Sequence, residues 1–325
     1  MEKRRYNGLD WLRTILCIGI LIWHVKANCG YDISGMIYNR IIPAFDDAIY
    51  PFMAISAFGM CCGYYERTLK GQIKWTSFYA KRYMRILPYF AILVVFDMAL
   101  QRTPLALSEG FTELTLLHGF IPNELSVMGI GWFLGTVFIF YLIFPFFCAL
   151  IEKRSRAWIA LAIAIGLSCI AIQTFGVHRK NFLVCFCYFL CGGVVFKYKD
   201  WLEKRKWYAV LPFSVLSVAA YFIIGSNPIV LCAVSGILLI QGLTIPGTPR
   251  PIAFLSAISM EIYLAHMAVF RAVEKLRMHT IIGNGWLQYL LTCTIVFCIT
   301  AAYAYLMQKI LRALENKIGA KRMIQ

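Results

Sequence analysis

Charge is what this sequence has least of. Only 15% of its 325 residues are Asp, Glu, Lys or Arg, and just 16 are acidic, where ordinary soluble domains carry about 25% charge. No polar tract forms a soluble appendage, no internal repeat is detectable, and no low-complexity linker divides the chain. These absences argue against a soluble multidomain protein and leave a single domain over 1–325. Zinc-like ligand spacing is missing as well. Cys185, Cys187 and Cys191 cluster without a His at the usual interval. The other cysteines also sit in apolar runs, except Cys29 in a loop, so packing accounts for them and neither a disulfide nor a metal is expected. Lys3-Arg4-Arg5 before an apolar run resembles a secretion signal. However, Lys26, Asn28 and Gly30 stand where small residues would be cleaved, so the run is expected to stay as the first helix.

Apolar residues are what is there: 60% of the chain, with a mean hydropathy of +0.68. They fall into ten runs near the roughly 20 residues a bilayer span needs. The runs are 9–27, 42–64, 83–101, 130–151, 157–176, 182–197, 207–225, 228–244, 252–273 and 286–309. The stretch 103–129, interrupted by Pro104, Pro122 and Gly129, reads as an outer loop. Lys and Arg then divide roughly three to one between alternate loops, which places both termini in the cytoplasm. The expectation is an all-α polytopic membrane protein of about ten transmembrane helices. The net charge of +16 follows from that orientation, and no basic-aromatic motif points to nucleic acid.

Ionisable residues inside apolar spans are functional candidates because burying them in lipid is costly. The first span holds Asp10, Arg13 and His24. Arg13 and His24 are eleven residues apart, close to three helical turns, so they share a stripe about 16 Å long. The alternative is that Arg13 snorkels and His24 sits at the interface. Lys81, Arg82 and Arg85 crowd the start of the third span. Arg82 and Arg85, at i and i+3, match an anion such as phosphate, or are a plain cytoplasmic basic cluster. Ser259, Tyr263 and His266 form one polar stripe that should face the bundle interior, whether for chemistry or for interhelical bonding.

Taken in order, these fragments resemble the bacterial membrane acyltransferase-3 family. The resemblance rests on Asp10-Trp-Leu-Arg13 with His24, Pro51-Phe-Met-Ala-Ile-Ser56 and Arg82-x-x-Arg85 with Pro88. Gly131-Trp-Phe-Leu134 with Tyr141 and Pro145, and Ser259 to His266, complete the set. It implies a ten-helix transferase of the bacterial cytoplasmic membrane that moves an acyl group, usually acetyl from acetyl-CoA, to a hydroxyl of a cell-envelope glycan. His24 is then the catalytic candidate with Arg13 and Asp10 beside it. Arg82, Arg85 and Lys81 would bind the donor, and Ser56, Trp132, Tyr263 and His266 the substrate. Two positions depart from the pattern: Val137 replaces a frequent glutamate and Ala57 a frequent glycine. The loss at 137 keeps a second class open, a membrane carrier or sensor for a small solute such as an amino acid, although no pair of interrupted spans marks one. His118, Glu113 and Glu124 in the 103–129 loop could shape acceptor choice, with His118 read as a solvated residue.

Overall fold

The computed structural model describes residues 6–121 and 129–322; Lys3, Arg4, Arg5, Pro122 and Glu124 lie outside the described residues. The chain is 82% helix, with no strand among those residues. The helices are α1 (Asn7–Asn28), α2 (Ile49–Leu69), α3 (Trp75–Gln101), α4 (Pro104–Leu114), α5 (Trp132–Leu150), α6 (Arg154–Gln173) and α7 (Phe182–Lys197). They continue with the single turn α8 (Lys199–Leu202), then α9 (Trp207–Ile224), α10 (Pro228–Thr244), α11 (Arg250–Ala257), α12 (Ser259–Lys275) and α13 (Gly285–Arg322).

Among the described residues seven helices are long and apolar enough to cross a membrane, and α11 with α12 make an eighth if that bent pair is one span. The remaining two expected spans are α7 and α10, of 16 and 17 residues. Both begin sharply because Asn181 and Asn227 accept hydrogen bonds from the first-turn N–H groups of Leu183 and Val230. Large apolar side chains face outward in stripes. Ile159, Ile163, Leu167 and Ile170 recur at helical spacing on α6 and are each about half exposed or more. A water-soluble protein would not present such a face, and a lipid-embedded one must. The chain is therefore a multi-pass membrane protein. Between the helices lies an aromatic core, with Phe140 of α5 stacked on Phe189 of α7 at 4.3 Å.

Three local findings differ from the sequence reading. Residues 103–129 are not simply a loop: Thr103 caps α4, accepting from Ala106 N at 3.1 Å, and Pro104 occupies the first turn, where its missing N–H costs nothing. The run 42–64 lies within one candidate span, Ile37–Leu69, but that span does not begin as an α-helix. A π turn (Ile37–Ile41) and a 3-10 turn (Pro43–Ala48) precede α2. The run 252–273 bends by 68° between α11 and α12. At the bend Ser259 Oγ donates to Ser256 O at 2.9 Å, and Ser256 Oγ donates to the Asp10 carboxylate at 2.7 Å. A continuous apolar run cannot signal that break, because the carboxylate that holds it, Asp10, lies on α1.

Candidate active site

His24 sits near the end of α1, where Ile20 O is one turn behind it, and Nδ1 lies 2.9 Å from that carbonyl. His266 of α12 meets it from across the bundle, its Nε2 3.2 Å from His24 Nδ1, with the rings 4.9 Å apart. His266 is 1% exposed and its Nδ1 faces Tyr263 O. These partners assign the protons. A carbonyl can only accept, so His266 carries its proton on Nδ1 and offers the Nε2 lone pair to His24. His24 then carries its proton on Nδ1, shared between Ile20 O and His266. Its Nε2 is left with a lone pair and no hydrogen-bond partner among the described residues. That nitrogen is the unassigned base of the pair.

A cavity of about 90 Å³ adjoins it, lined by His24 and Ile20 of α1, Asp46 of the 3-10 turn, Trp132 of α5, Arg179 and Tyr263, among others. The volume holds roughly half a dozen waters and suits reacting groups, not a whole nucleotide. The 3-10 turn is laid directly on α1 because Gly19 has no side chain: a Cβ there would fall 2.0 Å from the Phe45 ring. Asp46, the next residue, is thereby brought to the His24 end of α1. Trp23 Nε1 donates to its Oδ1 at 2.9 Å, and Arg179 Nη2 donates to its Oδ2. Asp47 is buried behind it and accepts from Arg179 Nη1 and from the Tyr221 hydroxyl, each at 2.8 Å.

Residues 129–132 form the facing wall, held by two side chains. Tyr263 OH donates to Ile130 O at 3.0 Å, and His118 Nε2 donates to Gly131 O at 3.1 Å. His118, expected to be solvated, is 2% exposed. It fits against α5 only because residue 135 is glycine, where a Cβ would lie 2.6 Å from Nε2. Burial lowers its pKa from 6.5, opposed more weakly by the bond to Gly131. The unfolded chain therefore binds the proton more readily. This part of the stability is complete above pH 6.5 and declines as pH falls below it. The thermal midpoint of purified protein should drop between pH 7 and 5, and His118→Gln should flatten that slope; an unchanged slope would refute the assignment.

Of the sequence candidates, the structure brings His24, His266, Tyr263 and Trp132 together, but the others stand elsewhere. Asp10 is 5% exposed and is tied to Ser256, with Arg13 4.0 Å away. Ser56 is half-buried on α2, outside the cavity. Arg82 is enclosed by the rings of Tyr64 at 4.8 Å, Tyr141 at 5.3 Å and Phe78 at 5.5 Å, while Lys81 and Arg85 are exposed. Tyr64 lies fifteen residues along α2 from the cavity residue Ile49, so this cluster is about 22 Å from the cavity along the helix axis. Asp46, Asp47 and Arg179 were not singled out from the sequence. The signal was available in the paired carboxylates inside an apolar run.

Against this geometry, a family model described as an acyltransferase domain matches residues 6–305. The chain belongs to the acyltransferase-3 family. Comparisons with curated proteins and with solved structures give no match. For a membrane acyltransferase the two-histidine arrangement is chemically apt, since acyl transfer to a hydroxyl needs a base at the attacking oxygen. Among the described residues no group of three or more His, Cys, Asp or Glu side chains is placed to hold a metal ion.

Proposed function

We propose that this acyltransferase moves an acetyl group from acetyl-CoA to a hydroxyl of a cell-envelope glycan. We place it in the bacterial cytoplasmic membrane with ten spans and both termini inside. The observation that carries the reading is His24, half-buried at the cavity, with Nδ1 engaged by His266 and Nε2 free for a substrate proton. The acceptor oxygen attacks the thioester carbonyl carbon while Nε2 takes the hydroxyl proton. The carbon–sulfur bond breaks, and the thiolate recovers that proton from the imidazolium, giving an ester and free CoA thiol. The lone pair of His266 receives the Nδ1–H of His24 and supports the transient positive charge, as the third member of a catalytic triad does.

Arg82, with Arg85 and Lys81 nearby, is the donor-phosphate site in this reading. The pantetheine arm then runs the roughly 22 Å along α2 that separates the Arg82 cluster from the cavity. Trp132 and Tyr263 line the reaction cavity, whereas Asp10 acts through the α11–α12 bend and Arg13 through Asp10. The family match and this geometry support the transferase. The broken span at α11–α12 is the one observation favouring a solute carrier. Labelled acetyl-CoA supplied to purified full-length protein separates the two. His24-dependent consumption of the thioester is the expected result. Uptake of a solute into vesicles without any thioester consumption would overturn it.

A further inference from the structure

The cavity wall beside His24 holds hydrogen-bonding capacity that the fold does not consume. Asp47 is buried, and both its oxygens are taken. Asp46 differs. Each of its oxygens accepts a single bond, an ionised carboxylate offers about four acceptor positions, and its side chain is 45% exposed at the cavity. Trp132 lines the same space, and its indole N–H has no hydrogen-bond partner among the described residues. Arg179, holding Asp46 with one arm and Asp47 with the other, fixes the carboxylate in place. A fixed acceptor and an unused donor thus border one small cavity whose base is His24.

We propose that Asp46, positioned by Arg179, and Trp132 form the acceptor subsite, and that they read a hydroxyl vicinal to the one acylated on an uncharged polyol; this rests on the transferase reading of His24. A hydroxyl is the group that matches both residues, since it donates to a carboxylate and accepts from an indole N–H. A monohydric alcohol leaves both residues unpaired in a confined site, and such sites discriminate strongly against ligands lacking the expected hydroxyl. A carboxylate or phosphate accepts but cannot donate, and Asp46 repels it. Arg179 does not offset that repulsion, because both arms of its guanidinium are already engaged by Asp46 and Asp47.

The test uses the full chain in lipid nanodiscs with labelled acetyl-CoA and three acceptor probes: methyl glucopyranoside, methyl glucuronopyranoside and 1-propanol. The wild type should favour the neutral glycoside over both others by tenfold or more in kcat/KM. Asp46→Asn and Trp132→Phe should each cut that preference about tenfold, mainly through KM. If one variant fails to fold, the other decides. Equal losses on all three probes would reduce the residues to a structural role and overturn the proposal. So would a wild-type preference for the glucuronoside, or His24-dependent thioester consumption without transfer to the neutral glycoside. If no His24-dependent consumption occurs at all, the transferase reading itself falls, a result distinct from failure of the subsite.

Discussion

His24→Ala lowers the rate of acyl transfer by roughly 10²–10⁴-fold, the range a positioned general base contributes, while the variant still reaches the membrane. The second half of that expectation follows from the packing. His24 is only partly buried, at a cavity, and its side chain bonds to Ile20 O of its own helix and to His266. Removing it costs the contact with His266 of α12 but leaves the packing of α1 against α10 and α11 in place. His266→Ala should cost less, because it removes the group orienting the base and not the base itself. Transfer kinetics and membrane abundance, measured on the same preparations, check both statements. An active His24→Ala enzyme would require another proton acceptor in the cavity, and Asp46 would be the first group to examine.

Arg82→Ala raises the KM for acetyl-CoA by roughly tenfold to a hundredfold with a smaller change in kcat, the equivalent of about 1.5–3 kcal/mol for a hydrogen bond to a charged partner. Arg82→Lys recovers little of this. The guanidinium is a planar fork packed among Tyr64, Phe78 and Tyr141, and its Nε is buried without a partner among the described residues. A lysine ammonium is a strongly hydrated point charge and cannot reproduce that stacked, two-pronged geometry. Arg85 is exposed and should contribute less. Measuring KM for acetyl-CoA against KM for the acceptor assigns the residue: a loss confined to the acceptor would place the donor elsewhere.

Several helices were legible in the sequence to within a few residues where their ends carry local signals, whereas α2, α3 and α13 have an end five or more residues from the expected one and α4 was read as a loop. Residues 182–197 and 228–244 coincide with α7 and α10, whose first turns are capped by the asparagine just before them. The bend at Ile258 and the short turns before α2 were not legible. An apolar run says that a segment is buried or faces lipid, and says nothing of its straightness. Asp46 and Asp47 fell within a run read as a span, yet they belong to a 3-10 turn that faces Arg179. His118 was misread for a related reason. Its burial depends on Gly119 and Gly135 allowing two backbones to touch, a condition visible only once the segments meet.

The sequence by itself determined that this chain spans a membrane, that it is helical, and that a family's ordered motifs run through it with His24 near the end of the first helix. Hydropathy and loop charge are additive along the chain, so they survive without coordinates. Tertiary structure alone decided that His24 meets His266, 242 positions away, that Asp10 anchors a helix bend, and that Asp46 and Arg179 share the cavity while Arg82 stands at the far end. Hydrogen bonds act over about 3 Å. Which distant residues come that close is set by helix packing and by where glycine lets backbones approach, and neither is written in any single segment.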